Sequence, residues 1–168
     1  AETLTVITNL QTIANAEHTD STHWKITASL EIGVNTIAVI ASDADRVSDT
    51  VYAYIIYDPY NPNSPQIITL TQADTFILLN WDMPSDTISG INSFDIYRKD
   101  TEVFYHLANA ANTEYIDYAV KIGETYTYYI ITIDGALNRS DSSNQVDTYF
   151  RGTEHSPVFL NIPDTIIY

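Results

Sequence analysis

Hydrophobic and polar residues alternate in short runs along most of the chain, and a period of two predicts β-strands. In Thr125–Asp134, positions 126, 128, 130 and 132 fall on one face, which we assign to the protein interior. The period of an α-helix is not sustained over the length of a helix anywhere. The pattern therefore predicts an all-β protein.

Residues that favour turns divide the segment 65–150 into seven short strands. The predicted strands are Gln66–Thr71, Thr75–Trp81, Ser93–Arg98, Val103–Leu107, Glu114–Tyr118, Thr125–Asp134 and Gln145–Phe150. Seven strands with this punctuation are typical of an antiparallel Ig-like sandwich. We expect Trp81 at the centre of its core. The side chains expected around it are Ile77, Leu79, Ile96, Ile116, Tyr128 and Ile130.

The order of these residues resembles fibronectin type III modules of bacterial extracellular proteins. Tyr126, shortly after Gly123, stands where such sandwiches place a tyrosine whose hydroxyl bonds back to nearby backbone. The bacterial pattern often has glycine before an Asn-x-Ser turn, and here Leu137 takes that place. We expect Leu137 to avoid the left-handed backbone and Gly135 to supply the bend. The resemblance implies a spacer or binding module.

The first segment, 1–58, has a strand pattern that differs from that of the segment 65–150. Its predicted strands are Thr3–Asn9, His23–Leu30, Thr36–Ala41 and Thr50–Tyr57. The run from Leu30 through Gly33-Val34-Asn35 to Asp43 resembles bacterial Ig-like modules found beside carbohydrate-active enzymes and on cell surfaces. That resemblance implies that the Asn35 side chain forms hydrogen bonds with backbone groups of the turn. The core it implies consists of Trp24, Leu30, Ile37 and Val39.

Such a module normally has about seven strands, and the first two have no counterpart here. The sequence thus predicts two tandem Ig-like antiparallel β-sandwiches, the first lacking its N-terminal strands and so leaving an apolar face uncovered. Pro59 and Pro62, with Pro65 directly after them, make 59–64 a stiff linker that should hold a preferred angle. The predicted organisation is a partial Ig-like domain at 1–58, the linker, a fibronectin type III domain at 65–150 and a tail at 151–168.

In the tail, Val158, Leu160 and Ile162 alternate with other residues, and the stretch resembles the opening strand of a further Ig-like module. One interpretation is that the chain is cut from a longer array, which also fits its start at Ala1. The other is that the tail of one copy donates a strand to the open first domain of the next.

The formal net charge is −15, from 22 acidic and 7 basic residues. Such a surface repels phosphate backbones and anionic lipids, so we expect no nucleic-acid partner. No apolar run approaches the roughly 18 residues of a membrane-spanning helix, so no membrane insertion is expected. The absence of cysteine excludes disulfides, thiolate metal sites and thiol nucleophiles.

Two groups of residues could bind a ligand, a set of aspartates and a set of tyrosines. Asp43, Asp45 and Asp49 offer carboxylates in one loop, a ligand type that calcium prefers, although a solvated turn is the competing interpretation. No cofactor is otherwise expected. Tyrosines near or in the linker could stack on sugar rings, although strand propensity alone also explains them. These tyrosines are Tyr52, Tyr54, Tyr57 and Tyr60.

No catalytic motif is present, so no enzyme is predicted. We expect a structural or spacer region of a modular extracellular or cell-surface protein, or a filament or surface-layer component joined by strand exchange. The alternative is an accessory module of a larger secreted hydrolase or adhesin that binds carbohydrate or protein. Expected partners are neighbouring domains, copies of the same chain, and polysaccharide.

Overall fold

A computed structural model describes residues 3–9, 11–13, 16–18 and 23–152. Every regular element in this part of the chain is a β-strand, so it holds no helix that could cross a membrane. The strands are β1 (Thr3–Thr8), β2 (Gln11–Ile13), β3 (Ala16–His18), β4 (Trp24–Ile26), β5 (Gly33–Ser42), β6 (Val51–Tyr57), β7 (Ile67–Gln72), β8 (Ile77–Trp81), β9 (Ile91–Lys99), β10 (Tyr105–Ala110), β11 (Glu114–Asp117), β12 (Thr125–Asp134) and β13 (Val146–Tyr149). All pair antiparallel, which confirms the prediction of an all-β, antiparallel fold.

Strands β7–β13 form a sandwich of two sheets, ordered β10-β9-β12-β13 and β11-β8-β7. The alternation predicted in β12 is correct, because Tyr126, Tyr128, Ile130 and Thr132 are all buried. Trp81 is also buried, and its ring meets Phe94 edge to face at 5.3 Å. Among the described residues, the buried core cluster consists of Ile67, Ile77, Leu79, Trp81, Phe94, Ile96, Tyr126, Tyr128, Ile130 and Phe150.

The predicted core placement of Ile116 is wrong, because its side chain is 37% exposed. Strand β11 pairs with β8 so that Tyr115 lies opposite Leu79 and Asp117 opposite Ile77. Both β8 residues are buried, so Tyr115 and Asp117 share the inward face and Ile116 points out. The inward Asp117 pairs with a charged residue of the opposite sheet.

That buried ion pair joins Asp117 to Arg98 of β9, with 2.6 Å between the carboxylate Oδ2 and the guanidinium Nη1. Arg98 also donates to the Ala119 carbonyl and the Tyr105 hydroxyl, and its guanidinium lies over the Tyr126 ring. Burial opposes the charge on Arg98, but the hydrogen bond and charge of Asp117 outweigh it and raise the Arg98 pKa. The two sheets are therefore linked by an ion pair as well as by apolar packing.

The expected tyrosine corner is present: the Tyr126 hydroxyl accepts a hydrogen bond from the Lys121 backbone N–H at 2.9 Å. The expected shape of the turn after β12 is wrong, because Leu137 adopts a left-handed φ of 70°. Asp134 holds this turn by accepting from the backbone N–H groups of Ala136 and Asn138. Gly135 matters for space, since a Cβ there would lie 2.5 Å from the Ser89 carbonyl oxygen.

The first segment forms a sheet ordered β2-β1-β5-β6 and a separate ribbon of β3 and β4. Asn35 plays its expected role: its side chain accepts from the Glu31 N–H and donates to the Glu31 and Gly33 carbonyls. The core implied for this segment is only partly correct. Val6 and Ala38 are buried, whereas Leu30, Ile37 and Val39 are half-buried. The side chain of Trp24 lies outside the described part.

Candidate functional site

Strand β6 forms one edge of the first sheet, and all seven of its residues are exposed. Because side chains alternate along a strand, Tyr52, Tyr54 and Ile56 share one face, whereas Tyr57 lies on the other. Tyr52 is 58% exposed and Tyr54 is 71% exposed. The structure thus brings two of the four sequence-predicted tyrosines together on one face of β6.

A shallow depression adjoins Tyr52 on that face. It is lined by Ile7 of β1, Asn9 directly after β1, Thr36 and Ala38 of β5, and Tyr52 of β6. The Asn9 side chain is engaged internally, since it accepts from the Thr36 N–H and donates to Asn35. The site therefore offers aromatic and apolar surface with few free polar groups.

Tyr60 belongs to a different surface. It lies in the linker beside a cleft that also involves Asn63, Ser85, Asp86 and Ile88. Its backbone N–H donates to Asp58 at 3.0 Å, and its carbonyl accepts from Asn138 at 2.9 Å. Tyr60 thus helps to fasten the linker and is not part of the β6 face.

Of the sequence-predicted calcium ligands, Asp43 is occupied by its own turn. Its Oδ1 accepts from the N–H groups of Asp45 and Arg46, and its Oδ2 lies 3.4 Å from the Arg46 guanidinium. Asp45 and Asp49 are exposed. Within the described ranges, the carboxylates that converge belong to other aspartates.

Those aspartates are Asp58, Asp86 and Asp134, each with one oxygen within 4.8 Å of the others. They come from the residue before the linker, the β8–β9 loop and the end of β12. Three oxygen donors at this spacing are a ligand type that calcium accepts. The signal was missed in the sequence because the three residues are far apart and each resembles an ordinary turn aspartate. We call these residues the acidic junction.

The carboxylates of the acidic junction accept hydrogen bonds from nearby backbone and side-chain groups. Asp58 accepts from the Tyr60 N–H and from both the N–H and hydroxyl of Ser89, while Asp86 accepts from the Ser89 and Gly90 N–H groups. The bond from the Tyr60 N–H is the main reason that the Asp58 pKa is lowered; burial opposes it and the Ser89 bonds add to it. The carboxylates therefore hold the start of the linker against the β8–β9 loop.

Further bonds continue this attachment along the linker. The Asn138 amide donates to the carbonyls of Asp58 and Tyr60 at 2.9 Å each. Asn63 donates to the Ser85 hydroxyl, and the Ser64 hydroxyl donates to the Asp141 carbonyl. The linker is thus bound to the sandwich along its length. The prolines predicted a stiff linker but not this attachment.

A second polar group lies on the outer face of the β10-β9-β12 sheet. Asp95 pairs with Arg139 at 2.6 Å and accepts a hydrogen bond from Asn109. The hydrogen bond that Arg139 donates to Asp95 is the main cause that raises the Arg139 pKa. The nearby rings of Tyr97 and Tyr129 stack on each other at 4.7 Å, so their faces cover one another. The sequence-predicted donor residues Val158, Leu160 and Ile162 lie outside the described residues.

In sequence, the chain is 29% identical over 100 residues to an amylopullulanase of Thermoanaerobacterium saccharolyticum, a match that covers 57% of this chain and 8% of that protein. It is 31% identical over 88 residues to an amylopullulanase of Thermoanaerobacterium thermosulfurigenes, covering 51% of this chain and 5% of that protein. The chain therefore spans less than a tenth of these curated relatives. No family model matches it.

In three dimensions, the chain is similar to a crystal structure of domains from titin, with a TM-score of 0.58, 16% identity, and coverage of 89% of this chain and 55% of that one. It is also similar to the twitchin kinase region from C. elegans, which includes fibronectin-type and Ig domains, with a TM-score of 0.52, 18% identity, and coverage of 60% and 18%. The fold is that of fibronectin type III and Ig-like β-sandwiches.

Proposed function

We propose that this chain is a non-catalytic accessory region that sets the spacing of neighbouring domains in a larger secreted or cell-surface carbohydrate-active protein. The observation that carries the proposal is the attachment of the linker to the second sandwich. In this proposal 1–58 and 65–150 are the two units joined by the linker, and 151–168 leads to a further domain or copy.

The linker bonds support a stiff spacer in energetic terms. Each hydrogen bond of this kind contributes about 0.5–1.5 kcal/mol net, and those of Asp58, Asn63, Ser64 and Asn138 act on one short segment. Pro59, Pro62 and Pro65 reduce the freedom of the detached linker, so less entropy is lost on attachment. A free linker of Gly and Ser would have neither property.

The comparisons support the setting of this proposal. Both curated relatives are named amylopullulanases, and the matching region is a small part of each. A sandwich of this fold with an acidic surface is suited to a place beside a catalytic domain. We therefore assign the hydrolytic chemistry to other parts of such a polypeptide.

Spin-label distance measurements test the spacer. Because the chain has no cysteine, Val51→Cys in β6 and Val103→Cys in the second sandwich, both exposed, can be labelled cleanly. We expect a narrow distance distribution that broadens when Asn138→Ala removes the bonds to Asp58 and Tyr60. Asn112→Ala, at an exposed site, is the control. A distribution that is equally broad in all three proteins would overturn the proposal.

A second candidate function is polysaccharide binding at the face of Tyr52 and Tyr54. The favouring observation is that both residues are exposed on one face of β6, where Tyr52 also lines the depression with Ile7 and Ala38. Aromatic rings of this kind present apolar faces on which sugars stack. We expect pullulan in a native gel to retard the protein, and Tyr52→Ala with Tyr54→Ala to remove the retardation. Tyr57→Ala, on the opposite face of β6, should leave it unchanged.

A further inference from the structure

The outer edge of β6 has the properties of an edge that accepts another strand. β6 lies last in its sheet, and in the described part of the chain its ladder partner is β5. Its sequence is Val-Tyr-Ala-Tyr-Ile-Ile-Tyr, without charge, proline or glycine. The pairing with β5 runs from Gly33 opposite Tyr57 to Val39 opposite Val51 without a bulge. The usual protections of an exposed edge are therefore missing from this strand.

The tail contains a segment that fits such an edge. Residues 156–163 read Ser-Pro-Val-Phe-Leu-Asn-Ile-Pro and carry no charge. The alternation of Val158, Leu160 and Ile162 puts three aliphatic side chains on one face of an extended strand. Pro157 and Pro163 restrict the strand to the residues between them, since proline is tolerated at strand ends but not in a central ladder. The seven-residue β6 is long enough to pair with all of them.

The second sandwich determines where the tail starts. Strand β13 ends with Tyr149 opposite Thr125, at the beginning of β12. The linker is attached near Asp134 and Asn138, at the other end of β12. β12 has ten residues, which at about 3.3 Å per residue separate the two ends by roughly 30 Å. The tail therefore leaves the sandwich at the end opposite to the linker.

This separation favours a second copy as the acceptor. From Gly152 to Val158, six residues span at most about 22 Å when fully extended. That is shorter than the roughly 30 Å to the linker end of the sandwich, next to which β6 ends at Tyr57. Val158 thus falls short of the Tyr57 end of β6 in its own copy.

We propose that the segment 158–162 of one copy adds as a strand to the outer edge of β6 in a second copy. The two surfaces differ, so the contact is heterologous, and repetition produces a head-to-tail chain of copies instead of a closed dimer. Each copy carries a formal charge of −15, so repulsion opposes the association and salt relieves it. The Debye length falls from about 30 Å at 0.01 M salt to about 3 Å at 1 M.

The test is the molar mass of the full chain, measured by light scattering across a concentration series at both salt concentrations. We expect oligomers of increasing mass at high salt and high concentration. Leu160→Lys should leave monomers because it places a charge on the apolar face of the donor strand. Asn161→Lys, which adds the same charge at the neighbouring position with the opposite orientation, is the matched control and should retain most of the assembly.

Two further measurements test the acceptor. Ala53→Lys puts a charge on exposed β6 and should also give monomers, with a circular dichroism spectrum that shows an intact fold. A synthetic peptide of residues 153–168 should dissociate the wild-type oligomers by competing for the edge. The proposal is wrong if the full chain stays monomeric under every condition, or if it assembles equally well with Leu160→Lys or Ala53→Lys.

Discussion

Removing the Asp117 carboxylate should be among the most damaging single changes in the second sandwich. Its Oδ2 lies 2.6 Å from Arg98 and accepts from the Tyr128 hydroxyl at 2.8 Å, while its Oδ1 accepts from the Ala119 N–H. The side chains of Arg98 and Asp117 are 7% and 1% exposed. Asp117→Ala therefore leaves the buried guanidinium with only the exposed Asp100 carboxylate, at 3.3 Å, as counter-ion among the described residues, and leaves a buried hydroxyl without its acceptor.

The size of the effect follows from burial. Breaking one partner of a buried ion pair costs about 3–5 kcal/mol, against a total unfolding free energy of about 5–15 kcal/mol for a typical domain. In a domain of 60–100 residues, 1 kcal/mol corresponds to a shift of about 4–8 °C in Tm. We therefore expect Asp117→Ala to lower the Tm of the second sandwich by at least about 12 °C.

Thermal and urea unfolding, followed by near-ultraviolet circular dichroism of the buried aromatic residues, measure this loss. Asp147→Ala, at an exposed position of β13, is the control and should change stability little. The double variant Arg98→Met with Asp117→Leu removes both charges and should recover much of the loss, because an apolar pair of similar volume can replace a buried ion pair. If Asp117→Ala costs no more than Asp147→Ala, or if the double variant loses the sum of the single losses, the reasoning about the ion pair is refuted.

Three further predictions concern titration and backbone strain. Burial and the Asp117 charge raise the pKa of Tyr128. The stability that the protonated hydroxyl contributes is therefore full below pH about 10 and is lost at higher pH. In alkaline unfolding curves, the stability of Tyr128→Phe should fall less with pH than that of the wild type. The Asp58 pKa is lowered, so its contribution is present above pH about 4 and lost as the pH falls further; acid unfolding should be less steep in Asp58→Asn, and an unchanged slope would contradict this. Leu137→Gly should raise the Tm, because the left-handed backbone at this position costs an L-residue about 1–2 kcal/mol. Gly135→Ala should lower the Tm, because the new Cβ meets the Ser89 carbonyl. Calorimetry measures both changes, and equal shifts in Tm would be inconsistent with both expectations.

Local pattern was enough to predict much of the fold. The period of two in β12 placed Tyr128 and Ile130 in the core, because the alternation of side chains is a property of any extended chain. Asn35 and Tyr126 were assigned correctly for a related reason. Each bonds to backbone within five residues, so the partners are visible in the sequence.

Faces and distant partners were decided only by the tertiary structure. Ile116 lies outside the core and Asp117 inside it, because pairing with β8 sets which face of a short strand is buried, and a shift of one residue reverses every side chain. In β6, only its pairing in the sheet shows that Tyr52 lines the depression formed with β1 and β5, whereas Tyr57 does not.

By itself, the sequence determined an all-β chain with a complete sandwich after Pro65, because β-strand periodicity and turn chemistry are local. The tertiary structure decided that the linker is attached to that sandwich, because Asp58, Asp86 and Asp134 approach one another only when β8, β9 and β12 are packed. It also decided that β6 lies at the edge of the first sheet in the described part of the chain, because this depends on the order of four strands that are not consecutive in the chain.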